Sequence, residues 1–277
     1  MRNLLVGAAA LLALAVPTIA SADTGGSIKI TWASIDGDEQ RSFNGEDIAA
    51  AYYGYGNTAD NVLALGGHVI TDVSDNWRVQ FNATTSDTDV QAYYGEGFSV
   101  SHSQVEVHAT YNAGNFDVGG FTGMFNNDGH TFYEYGVEGG VNFERARVTV
   151  SAAGATSGNS DFYDDITTVA AQGSFMLTEN LSVGATLSNT NFGSYGNGGF
   201  YEDDAEVTAY GVNVGYNVGD WTVAAGYRSA DTDFGDTEFL GLSLAWNFGE
   251  GARGREMPGA SALIPDAIAT LDNFFAI

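Results

Sequence analysis

The chain has 277 residues, 35 Asp plus Glu against 9 Lys plus Arg, a formal charge of −26, and only 16% charged residues overall. The acidity excludes a nucleic-acid partner, because no basic stripe is present to displace counterions from phosphates. Proline at 3 excludes a collagen-like chain, the aromatic share of 13% excludes simple disorder, and with no cysteine there is no disulfide to mark a redox compartment.

Residues 1–22 read as a secretory signal peptide. Arg2 supplies the positive charge, Leu4 to Val16 form an apolar run ended by Pro17, and Ala20-Ser21-Ala22 is a small-x-small cleavage site before Asp23. The run is shorter than the roughly 20 residues a helical membrane anchor needs.

From residue 23 to 248 the sequence alternates with period two, which puts apolar side chains on one face of a strand and polar ones on the other. Trp77, Val79, Phe81 and Ala83 oppose Arg78, Gln80, Asn82 and Thr84. Val105, Val107, Ala109 and Tyr111 alternate with Gln104, Glu106, His108 and Thr110, and the same rhythm recurs through Tyr133–Phe143, Leu181–Ser188, Tyr210–Asn217 and Trp221–Arg228. The pattern predicts about 12 strands, within a range of 10–16, near 27–34, 62–72, 76–86, 103–112, 115–125, 131–143, 146–156, 166–177, 180–190, 204–217, 221–231 and 237–248. Segments 47–55 and 90–95 read as parts of loops. Short turns at 73–76, 112–115, 144–145, 178–180 and 218–220 alternate with longer polar links rich in Asp and Glu, among them Asp36, Asp38, Asp87, Asp89, Asp165, Asp231 and Asp236.

Strands of this length suit a transmembrane barrel, which needs roughly 9–11 tilted residues to cross the hydrocarbon. Trp77, Tyr111, Phe116, Phe143, Phe175, Tyr216, Trp221 and Trp246 fall beside short turns or at the end of the last strand, where a headgroup-level aromatic ring belongs. The expected fold is all-β: a closed antiparallel transmembrane barrel with short periplasmic turns and long acidic extracellular loops. Leu244, Trp246 and Phe248 form a last strand with alternate apolar positions and an aromatic end. In these features residues 23–248 resemble the Gram-negative outer-membrane porin superfamily, especially the acidic, glycine-rich, lysine-poor barrels of alphaproteobacteria.

That resemblance implies an outer-membrane location and a porin-like channel for passive diffusion of small hydrophilic solutes. The alternative is a structural or adhesive barrel without a conducting pore. Lys29, Arg78, Arg147 and Arg228, with Glu106, His108, Asp117, Glu134 and Glu138, fall on the polar parity and are the candidate pore-lining residues. The acidic links imply a preference for cations, and lipid, lipopolysaccharide and further copies of the chain as partners. No catalytic residue, cofactor site or metal site is expected. The Asp36-x-Asp38 run has Arg41 where a calcium loop turns on glycine, the four histidines lack metal-ligand spacing, and Ser101-His102-Ser103 has no nucleophile elbow. Residues 249–277 form a C-terminal extension, read either as a disordered periplasmic tail or as a short helix opened at Pro265, in which Ile264, Ile268, Leu271 and Phe275 recur at helical spacing and suit a plug, an interfacial helix or a partner contact.

Overall fold

In the computed structural model, the described residues are 24–37, 58–91, 98–127, 130–157, 165–192, 205–232, 235–249 and 257. The signal-peptide reading, segment 47–55 and all of the C-terminal extension except Gly249 and Met257 lie outside them. Twelve strands follow one another: β1 (Thr24–Gly37), β2 (Thr58–Asp72), β3 (Trp77–Gln91), β4 (Phe98–Ala113), β5 (Phe116–Asn127), β6 (His130–Asn142), β7 (Ala146–Ser157), β8 (Asp165–Met176), β9 (Leu181–Phe192), β10 (Ala205–Val218), β11 (Trp221–Thr232) and β12 (Gly235–Phe248). Each pairs antiparallel with its neighbours in sequence, and β1 pairs with β12 to close the barrel. No backbone edge is left open, which is the condition for β-structure in lipid.

The strands run further than the apolar alternation marks them. β3 continues to Gln91 and β4 begins at Phe98, so Asp87 and Asp89 belong to a strand and not to a link. Asp36, Asp165, Asp231 and Asp236 likewise sit at strand ends. Beyond the apolar band a strand keeps its ladder hydrogen bonds but has no reason to alternate, so hydropathy underestimates its length. Two of the links at this end shrink accordingly, to 128–129 and 233–234.

At the other end the turns are tight and repetitive. Gly114 and Gly219 open two-residue turns at φ of 76° and 59°, a left-handed conformation that glycine adopts without strain and that matches the twist of a hairpin. The four-residue turns after β2 and β8 are near copies: Val73 N donates to Trp77 O at 2.9 Å, and Leu177 N to Leu181 O at 2.8 Å. Adjacent hairpins are then tied by Asn112 N to Asn76 O, Asn142 N to Asn115 O, Asn217 N to Asn180 O and Asn247 N to Asp220 O, all within 2.7–2.8 Å.

The two faces of the wall separate cleanly. Val137 and Leu240 are each 64% exposed, and Val118, Val150, Val169, Leu187, Val212, Val223 and Leu242 also point outward. All eight aromatics near the short-turn end are exposed on this outer face, while Trp32, Tyr133, Tyr135 and Tyr210 lie toward the opposite end. An apolar outer belt of this extent is not a surface for water. Strands of 12–16 residues rise about 30–40 Å at the tilt of such barrels, more than the roughly 25 Å apolar band they must cover. We expect Leu242→Arg, in the middle of β12 on the outer face, to destabilise the folded barrel by about 2–4 kcal/mol. Urea titration of folding into lipid vesicles measures this, and an unchanged midpoint would place Leu242 away from acyl chains.

Candidate functional site

The inner face carries the candidate site. Register puts all nine sequence-selected residues on it: Lys29 on β1, Arg78 on β3, Glu106 and His108 on β4, Asp117 on β5, Glu134 and Glu138 on β6, Arg147 on β7 and Arg228 on β11. They do not form one cluster. Most gather on the β3–β7 wall, in two groups.

The first group centres on His108, which has no exposed surface. Its Nδ1 donates to Glu138 Oε1 at 2.9 Å. Its Nε2 lies 3.0 Å from Asn82 Nδ2 and 3.7 Å from Glu106 Oε2. Asn82 Nδ2 also donates to Glu106 Oε2 at 3.1 Å, and Gln104 Nε2 to Glu134 Oε1 at 3.3 Å. Phe121 stacks on the imidazole at a centroid distance of 5.2 Å. The neighbouring strand makes room for that ring through Gly136, where an added Cβ would run into Phe121 and into the Ala152 carbonyl. Glu134 Oε2 and Glu138 Oε2 are buried with no hydrogen-bond partner among the described residues.

The second group lies nearer the short-turn end. Arg147 Nη2 is 3.3 Å from Asp117 Oδ2, and Arg147 Nη1 donates to Asn142 Oδ1 at 3.0 Å. Asn112 and Asn142 both donate to the Asp117 carboxylate, at 2.8 and 2.9 Å. Arg78 Nε meets Asp72 Oδ1 at 3.2 Å.

The facing half of the lumen is built differently. From β8 round to β1 the inward positions are mostly small: Ser182, Gly184, Thr186, Gly211, Gly215, Ala224, Gly226, Gly241, Ser243 and Thr31. Here Lys29, Ser174 and Asn213 are exposed to the lumen. In a ring of twelve, β11 stands opposite β5, so Arg228 faces the wall that holds Glu106, Glu134 and Glu138.

Two features lie beyond the alternation pattern. One is an apolar inward group toward the long-link end, comprising Phe121, Phe125, Phe132, Ala153, Ala155, Ile166, Val207, Ala209 and Ala230, with Phe239 packed against it. Phe125 and Phe132 stack at 4.7 Å. Aromatics on the polar parity of β5 and β6 were the available signal. The other is Met257, which is fully buried and bonded to Gln80. No spacing rule connects those two positions. His102 and Ser103 are separated by the wall: His102 is buried inside against Phe125, whereas Ser103 is exposed on the outer face. No group of three or more His, Cys, Asp or Glu among the described residues is arranged to hold a metal ion.

No protein-family model and no curated relative matches the sequence. Among solved structures, the fold is similar to the COG4313 outer membrane channel from Pseudomonas putida F1, with a TM-score of 0.66 and 14% identity over 81% of this chain and 96% of that one. It is also similar to the translocator domain of autotransporter NalP from Neisseria meningitidis, at 0.51 and 9% identity over 88% and 97%. At these identities the likeness is one of fold. The structure is a closed 12-strand antiparallel β-barrel of the outer-membrane type.

Removing the imidazole would leave Glu138 and Glu106 buried without their central partner. His108→Ala is therefore expected to cost about 3 kcal/mol or more of barrel stability, with His108→Gln recovering part of it. The urea midpoint in vesicles reads the difference; equal midpoints for wild type and His108→Ala would remove His108 from the framework of the wall.

Proposed function

We propose that the protein is an outer-membrane, porin-like channel through which small hydrophilic solutes diffuse passively, with a weak preference for cations. The observation that carries this reading is a lumen-facing surface that is polar and charged on one half and lined mostly by small residues on the other, where Lys29, Ser174 and Asn213 are exposed, inside a belt of outward apolar side chains. Twelve strands about 4.8 Å apart and tilted at 35–45° enclose a backbone cylinder roughly 24 Å across. Large side chains crowd the β3–β7 wall, so the path runs along the β8–β1 wall past Lys29, Ser174 and Asn213. A polar path replaces lost hydration and lowers the barrier to crossing lipid. Glutamates facing Arg228 across the lumen give a transverse field that orients dipolar solutes.

In this reading residues 1–22 direct export and are removed, 23–248 form the barrel, the short turns face the periplasm, and no reaction is catalysed. Lipid and lipopolysaccharide surround the barrel. The acidic links and strand ends supply the cation preference. A second reading, a structural or adhesive barrel without a pore, draws support from the buried inward group around Phe125 and Phe132, which narrows the long-link end.

Planar-bilayer recording separates them. The channel reading expects discrete conductance steps and a reversal potential, in a potassium chloride gradient, on the cation side. Lys29→Glu should move that potential further toward cation selectivity, and the shift should shrink as salt rises and screening shortens. Silence at high protein density sinks the channel, and a chloride-side reversal potential sinks the cation preference.

A further inference from the structure

The barrel contains a receptor for its own chain. Gln80 on β3 presents an inward carboxamide that pairs with one residue of the C-terminal extension at two points. Gln80 Nε2 donates to Met257 O at 2.6 Å, and Met257 N donates to Gln80 Oε1 at 2.9 Å. A glutamine side chain has the donor and acceptor of a peptide group, so this is a strand-like exchange with a side chain standing in for a backbone. On the far side of the same residue, the Met257 thioether sulfur lies 3.0 Å from Arg147 Nη2 on β7. The residue has no exposed surface.

Gln80 and Arg147 stand on strands four places apart in a ring of twelve, a chord of about 20 Å in a cylinder of this size. Met257 is the piece that joins them, so it occupies the lumen and not merely its lining. The chain leaves β12 at the short-turn end, where Asn247 N bonds to Asp220 O. Gly249 then turns it with φ of 74°, so close to the backbone of Thr24 and Gly25 that a Cβ would not fit. Eight further residues span up to about 26–29 Å, enough to bring residue 257 from the rim into the barrel. Arg147 is also held by Asp117 and Asn142, and Gln80 Nε2 by Asn82 Oδ1 at 2.7 Å.

We infer that Gln80 and Arg147 form an intramolecular docking site for the main chain and thioether of Met257, and that the docked residue limits flow through the lumen. The docking stands on these contacts alone; the limit on flow rests on the channel reading above. The absence of cysteine makes the test clean. Met257→Cys in the full-length protein keeps the backbone pairing and adds one thiol. In the folded barrel that thiol should react with a hydrophilic maleimide at least tenfold more slowly than in the urea-unfolded chain, and adding Gln80→Ala should restore most of the rate. Labelling as fast in the folded barrel as in the unfolded chain overturns the docking, whatever the conductance.

For flow, Gln80→Ala and Met257→Pro, which removes the Met257 N–H, should each raise single-channel conductance at least 1.5-fold, and the double variant should rise no further than the larger single effect. Protected labelling with conductance unchanged by both substitutions overturns the limit on flow and leaves the docking. Additive increases show that Gln80 acts independently of Met257 and overturn their coupling. A barrel that never conducts defeats the channel reading, while the labelling rates still decide the docking.

Discussion

Everything in this molecule follows from the need to satisfy every backbone N–H and C=O within a sheet whose outer face is apolar. A sheet with that exterior cannot leave an edge in lipid, where an unpaired backbone group costs several kcal/mol. The pairing of β1 with β12, unbroken from Gly26↔Phe248 to Gly37↔Thr237, removes the last edge. Once the ring is closed, the period of two sorts side chains into only two environments. A slip of one residue would exchange them. Val137 and Glu138 are adjacent in sequence, yet one is 64% exposed outside and the other 4% exposed inside.

The short-turn end anchors that register. Gly114 and Gly219 set two hairpins, and the four-residue turns after β2 and β8 set two more with the same hydrogen bonds. The carbonyls of Asn76, Asn115, Asn180 and Asp220 then receive an N–H from the neighbouring hairpin. This rim is locally encoded, since each turn is specified by the residues within it. The long-link end has no such ties among its described residues. There the inward phenylalanines, with Ile166 and Val207, do by packing what the turns do by hydrogen bonding.

The approximate strand count and the two faces of the strands that alternate cleanly were legible in the sequence, because parity is a local property and charges are intolerable in lipid. Several strand ends were not, because Asp36 and Asp87 lie beyond the apolar band where alternation no longer carries information. Partnerships across the wall were also hidden. Asn82, Glu106, His108 and Glu138 come from β3, β4 and β6, and only register brings them within hydrogen-bonding distance. The contact between Gln80 and Met257 bridges 177 positions without a helix or strand to relate them. Sequence pattern reads what repeats; this contact occurs once.

The contrast between a wall of long polar side chains and a wall of small ones is itself a consequence of charge burial. A carboxylate taken from water must be met by donors, and donors with the right geometry come from long side chains on neighbouring strands: Gln104, Asn82, Asn112, Asn142 and Arg147. Each buried acid thus draws bulk to its own wall. The β8–β1 wall has few acids to satisfy and so can be lined largely with glycine, alanine, serine and threonine. Lys29 on that side needs no dense network, because it is exposed to the lumen. The dense acidic wall and the small-residue wall therefore arise from one choice, the concentration of acids on β4–β6.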